Sequence, residues 1–159
     1  MRNMKTEFII THEYPDTPDV LCLLEQLSES LESITGDSGK GSFNLSDVCV
    51  PRAVFVIARN RNGEASGCGA IRPISENVAE VKRMYAKIKG IGIGTEILRY
   101  LEEQAQRLGY AILWLETRVV NQQAVSFYER KGYHRITNYG KYAGNPEAVC
   151  FEKSLQTVI

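Results

Sequence analysis

Lys89-Gly90-Ile91-Gly92-Ile93-Gly94 lies between a strand-like stretch that ends near Ala86 and an amphipathic helix pattern that begins at Ile93. Three glycines at alternate positions strip the side chains from a turn where a helix begins. Helix N-termini carry unpaired N–H groups and the positive end of the helix dipole, so such a turn suits a phosphate. Two familiar phosphate loops fail on spacing. A dinucleotide fingerprint, G-x-G-x-x-G, would need glycine where Thr95 or Ile97 stands, and a Walker loop cannot continue through Thr95-Glu96. Taken alone the run reads as readily as a simple turn or C-cap as it does as a phosphate cradle, so its surroundings decide.

Downstream, Ile97, Leu98, Leu101, Ala105 and Leu108 form one apolar helical stripe that Gly109 is placed to end. Ile112 to Thr117 is a near-continuous apolar run of the buried-strand kind. A helix follows from about Gln122 to Lys131, stopped by Gly132, and Tyr133 to Thr137 and Val149 to Ser154 read as strands. Upstream, Asn77 to Ala86 is a strand, and Val54 to Ala58 and Gly67 to Ile71 flank Asn62-Gly63, a strong hairpin signal. Glu7 to His12 reads as a first strand. Pro18 with Asp16 and Asp19 announces a helix whose apolar positions run from Val20 through Leu23, Leu24, Leu27 and Leu31 to Ile34. The glycine- and serine-rich stretch from Thr35 to Ser42 is either a linker or a pocket wall. The order β-α-β-β-β-α-β-α-β-β predicts an α/β (α+β) fold with a mixed sheet and helices on its faces.

A chain of 159 residues, 43% hydrophobic, suits one domain spanning 1–159. Lys and Arg total 19, as do Asp and Glu, so no global field attracts nucleic acid or an anionic membrane. Any phosphate must be recognised locally. Apolar runs fall short of a membrane span, and residues 1–7 lack the apolar core of a signal peptide, so a cytoplasmic location is expected. Cys22, Cys49, Cys68 and Cys150 form no CxxC pair and read as small hydrophobes, and no metal site is expected.

Lys89 to Gly94 fits R/Q-x-x-G-x-G, with Lys in the Arg/Gln place, and Asn121 to Tyr133 fits N-x-x-A-x-x-x-Y-x-x-x-G-[FY]. With Ala79 to Ala86 in the place of a fourth strand, the chain resembles the GNAT acetyltransferases over roughly residues 53 to 155. Glu116-Thr117 and the tail from Tyr142 to Lys153 resemble a bacterial branch of that family, a likeness that names no substrate. The link Ala86-Lys87-Ile88-Lys89 is shorter than the family's usual one.

The resemblance implies a mostly antiparallel sheet, splayed between its fourth and fifth strands, and acetyl-CoA as cofactor. It implies that the amides from Gly90 to Thr95 (Gly90, Ile91, Gly92, Ile93, Gly94, Thr95) grip the pyrophosphate, with Lys89 beside them. Met84, Tyr85 and Ala86 would pair with the pantetheine arm, and Asn121 would cap its helix or touch the cofactor. Lys82, Arg83 and Lys87 supply nearby positive charge or belong to a solvated face. Tyr128 is the candidate general acid, against the alternative of a core aromatic. Glu80 stands where the histone-acetylating branch has its catalytic glutamate, or simply pairs with Lys82 or Arg83; Glu116 is a second candidate base.

The activity implied is direct N-acetyl transfer to a small-molecule or peptide amine. A non-catalytic acyl-CoA sensor and a partner-binding domain without cofactor are the alternatives. Leu31 to Phe43 and Tyr139 to Pro146 would line the acceptor side, where Glu29, Glu32 and Asp37 would suit a cationic amine or merely form a solvated helix face. The resemblance also admits a homodimer.

Overall fold

The computed structural model describes residues 8–155. Its elements run β1 (Ile9–His12), α1 (Pro18–Thr35), β2 (Val54–Arg59), β3 (Ala65–Pro73), β4 (Val78–Ala86), α2 (Ile93–Arg107), β5 (Ile112–Arg118), α3 (Gln122–Arg130), β6 (His134–Ile136) and β7 (Ala148–Ser154). This is the order expected from the sequence; Glu7 lies outside the described residues. The strands form an open sheet in the order β1-β2-β3-β4-β5-β7-β6. Every pairing is antiparallel except β4 with β5, the pair that α2 bridges.

Strand β2 shows how one sheet serves two cores. Successive side chains point to opposite faces, so Val54, Val56 and Ala58 join α2 and α3, while Phe55 and Ile57 join α1. The α2 face also holds Ile71, Val81, Ile97, Leu98, Leu101, Leu115 and Phe151; the α1 face holds Val20, Leu23, Leu24, Cys68 and Ala70. Both faces are dry, which is why β2 reads as an unbroken apolar run.

Local signals act where the chain places them. Pro18 is the first residue of α1, whose end is capped by Gly36 at φ +82°. The β2–β3 turn closes through Gly63 at φ +82°, and the Asn60 side chain accepts from the Asn62 and Glu64 amides at 2.9 Å each. Short three-ten turns at Lys40–Ser42, Leu45–Val48 and Gly140–Tyr142 interrupt stretches that carry no sequence periodicity.

The approach of α2 to the sheet depends on two missing side chains. A Cβ on Gly67 would stand 2.6 Å from Ile93 Cγ2 and 2.8 Å from the Tyr85 carbonyl oxygen, and one on Gly69 would stand 2.7 Å from Ile97 Cγ2. Gly67→Ala is therefore expected to destabilise the fold by about 1–3 kcal/mol through overpacking. Urea denaturation measures this, and an unchanged midpoint would contradict the close α2–β3 contact.

Candidate active site

β4 and β5 pair over three residues, Val78 with Ile112, Ala79 with Leu113 and Glu80 with Trp114. Past Glu80 each strand keeps only its outer neighbour. β4 stays on β3 through a bulge, with Ala70 opposite Lys82 and Cys68 opposite Tyr85, and Arg83 takes the left-handed φ of +55°. β5 stays on β7 as far as Arg118 opposite Ala148. The backbone of β4 beyond Glu80 thus has no partner strand on its β5 side among the described residues. Two cavities, about 770 and 290 Å³, open along the gap, and Met84, Asn121, Ala124 and Tyr128 line both.

The larger cavity is walled by Met84, Tyr85 and Ala86 on one side and by the glycine turn with Thr95 on the other. Gly90 and Gly92 hold φ of +84° and +88°, and a Cβ on either would meet nothing within 4 Å. The cradle is open space over backbone. Gly94 is different: a Cβ there would sit 3.6 Å from the Phe127 ring, so this glycine lets α2 and α3 approach. Ile93, Gly94 and Thr95 begin α2, where amides have no intrahelical acceptor, and they donate no hydrogen bond among the described residues. The short link before the turn is accommodated because the Lys87 amide donates to the Ser66 carbonyl at 2.8 Å, holding the chain to β3 one residue beyond β4. Lys89 Nζ lies 5.2 Å from the Tyr85 ring centre and lines this cavity, as does Arg130, which no motif singles out. Asn121 caps α3, its side-chain oxygen accepting from the Ala124 amide at 3.3 Å.

Tyr128 stands where the cavities meet. Its ring packs edge-on against Phe127 and Tyr133, and its hydroxyl has no hydrogen-bond partner among the described residues. Burial pushes its pKa up, which keeps the phenol protonated.

The smaller cavity is where the two candidate carboxylates separate. Glu80 lines neither cavity. It is 2% exposed and both oxygens are engaged: Arg72 Nε donates to Oε1 at 3.0 Å, with Nη2 of the same guanidinium 2.9 Å from that oxygen, and the Tyr139 hydroxyl donates to Oε2 at 2.6 Å. Lys82 is 3.9 Å from Oε2, and Arg72 also pairs with Asp47. The pairing weighed on sequence is thus real, with Arg72 in place of Arg83 as the main partner. Arg83 turns instead toward α1, donating to Ser28 Oγ at 2.6 Å.

Glu116 does line the smaller cavity. Its buried Oε2 accepts no hydrogen bond among the described residues, and the nearest cation is Arg118 Nε at 3.7 Å. Burial raises its pKa, against the lowering pull of Arg118 and Lys82. Glu80 and Lys82 share one face of β4, as Trp114 and Glu116 do on β5. Glu80 and Trp114 lie where the strands still touch, and Lys82 and Glu116 lie past their parting. The loop after α1 supplies Thr35, Asp37, Gly39 and Gly41 to this cavity, so it is a pocket wall.

A family model described as the Acetyltransferase (GNAT) family matches residues 24–133. The IAA acetyltransferase of Azospirillum brasilense is 31% identical over 149 residues, covering 92% of this chain and 97% of that protein. Among solved structures, a GNAT family acetyltransferase from Staphylococcus aureus superposes with TM-score 0.76 at 15% identity, covering 94% of this chain and 99% of the other. One from Elizabethkingia anophelis with acetyl-CoA bound superposes with TM-score 0.70 at 18% identity, covering 94% and 99%. At these identities the structural likeness speaks for the fold.

Arg72→Ala would leave the buried Glu80 carboxylate without its guanidinium partner and is expected to cost about 3 kcal/mol of stability. Adding Glu80→Gln to that variant should restore part of the loss. Chemical denaturation of the two variants provides the measurement.

Proposed function

The chain belongs to the GNAT acetyltransferase family, and from that premise we propose that it acetylates the amine of a small molecule by direct transfer, with donor and acceptor bound together. The cytoplasm is the proposed site of action. The observation that carries the reading is the place of Tyr128, a buried phenol without a hydrogen-bond partner among the described residues, at the junction of an open glycine cradle and a second, charged cavity.

The residues present fit acetyl-CoA. The amides of Ile93, Gly94 and Thr95, with Gly90 and Gly92 giving close access, suit the pyrophosphate, and Lys89 and Arg130 add charge. The unpaired edge of β4 from Met84 to Ala86 suits the pantetheine arm, with an amide there able to polarise a carbonyl. Asn121 closes the cavity between them. Bound there, acetyl-CoA supplies a thioester carbon open to attack by an amine.

The chain's own groups then divide the proton work. Tyr128 holds a proton on its hydroxyl for the sulfur that departs, and its raised pKa keeps that proton in place until thiolate charge develops. Glu116 takes the proton from the attacking amine. Glu116 lines the smaller cavity and its buried Oε2 accepts no hydrogen bond among the described residues, whereas Glu80 is held by Arg72 and Tyr139 behind the wall. Glu80 therefore shapes the wall rather than serving as base. Neither buried cysteine lines either cavity, which supports direct transfer over a covalent thiol route.

An acceptor screen followed by free-thiol release tests the activity; acetyl-CoA binding without turnover of any amine would overturn it. Tyr128→Phe is expected to lower kcat by about 10²-fold or more while calorimetry shows nearly unchanged acetyl-CoA affinity. Equal turnover would remove Tyr128 from the mechanism. For Glu116 the sign follows from its raised pKa: a base is lost as pH falls through that value. The acid limb of kcat/KM should lie above the ordinary carboxylate range of about 4.3. Glu116→Gln should abolish that limb along with most of the rate, and a limb that persists would point to another base.

A further inference from the structure

Charge in the smaller cavity is arranged in two layers. Deep in the wall, Lys82 is 9% exposed, lies near Glu80 and donates to the Tyr142 hydroxyl at 3.1 Å, so its charge is engaged. Arg83 is turned toward Ser28. Nearer solvent stand Arg118, Lys141 and Asp37, with the buried Glu116 carboxylate beside Arg118. Of the acids that suggest a cationic acceptor on sequence, Glu29 and Glu32 do not line the cavity, and Asp37 faces Arg118.

Arg118 is the group with capacity to spare. Its side chain is 25% exposed, and its nearest acidic atoms are Asp37 Oδ2 at 3.5 Å from Nη2 and Glu116 Oε2 at 3.7 Å from Nε. Both are longer than a good charge-assisted hydrogen bond, and Nη1 has no partner among the described residues. A half-buried guanidinium with an unfilled fork suits a planar carboxylate. Lys141 adds a second cation: its Nζ donates to the Gly41 carbonyl at 3.2 Å, tying the loop after α1 to the Gly140–Tyr142 turn across the same mouth. Glu116, the proposed base, stands beside Arg118. A ligand that meets both must therefore carry amine and carboxylate close together, as an α-amino acid does across one carbon. Leu27, Leu31, Val81 and Leu115 offer apolar walls for its side chain, and about 290 Å³ is at the lower end for a small-ligand site.

Resting on the transferase reading, we propose that the acceptor is a small α-amino acid, its carboxylate held by Arg118 and Lys141 and its amine turned toward Glu116. The amine nitrogen bonds to the acetyl carbon as the carbon–sulfur bond breaks; the amine's proton goes to Glu116 and the sulfur takes one from Tyr128.

Matched acceptors test this: apolar and polar L-amino acids, their carboxamides, and the corresponding decarboxylated amines, each followed by thiol release with acetyl-CoA. At least one free acid should exceed its amide and its amine in kcat/KM by about tenfold or more, the value of a hydrogen-bonded charge. Arg118→Gln should erase that preference, chiefly through KM, with acetyl-CoA affinity unchanged. Calorimetric titration of the preferred amino acid into protein saturated with coenzyme A should show binding that Arg118→Gln weakens by a similar factor. Amides or plain amines turning over as well as the acids would overturn the amino-acid assignment alone. No thiol release with any of these acceptors, while another amine of the acceptor screen turns over, would likewise overturn the amino-acid assignment alone; no turnover of any amine in either set would overturn the transferase reading and this assignment with it.

Discussion

Two neighbouring parallel strands that hydrogen-bond for three residues and then part must each satisfy the rest of their backbone elsewhere. β4 does so on β3 and β5 on β7, and the gap between them is the candidate site. The bulge at Arg83 helps to turn β4 away, its positive φ being a strain the surrounding sheet has to hold. The glycine turn ends β4 and starts α2, so unpaired helix amides and unpaired strand edge face one space. Remove the parting and neither cavity exists.

Where the strands still touch, the wall is closed by charge. Arg72 joins Glu80 to Asp47, and Tyr139 reaches Glu80 while its ring lies 4.6 Å from that of Trp114. That network ties β3, β4, the Leu45–Val48 turn and the segment before Gly140 together behind the smaller cavity. Burying so much charge is tolerable because each partner is matched and hydrogen-bonded. Past the parting, Glu116 lacks such a match, and burial raises its pKa. Two glutamates on corresponding faces of adjacent strands thus acquire different chemistry from a difference of position along the gap.

Much of the fold was legible in order along the chain. The apolar stripe from Ile93 to Leu108, the unbroken run at Ile112, the Asn62-Gly63 turn and the Pro18 start are each local signals, and each sits in the element it announced. The glycine turn and the Asn121–Tyr128 helix were equally plain, since their spacing reflects a backbone approach and a helix face. The carboxylate was not. Glu80 matched a motif position, but its Arg72, Asp47 and Tyr139 partners come from three separated segments, and nothing in residues 78–86 reveals them. Arg118 carried no signal at all, because the weak engagement of its fork by Asp37 and Glu116 arises only in the fold.

Sequence by itself therefore determined the element order, the α/β class, the phosphate-suited turn and the family likeness, because periodicity, turn chemistry and glycine spacing are short-range properties. Only the tertiary structure decided which carboxylate is engaged, which guanidinium has donors to spare and whether the residue 35–42 loop is linker or wall. Those depend on burial and on partners distant in the chain, and both are created only when β4 and β5 separate. The Lys89–Gly94 turn needs its own amides; Glu116 needs the whole sheet.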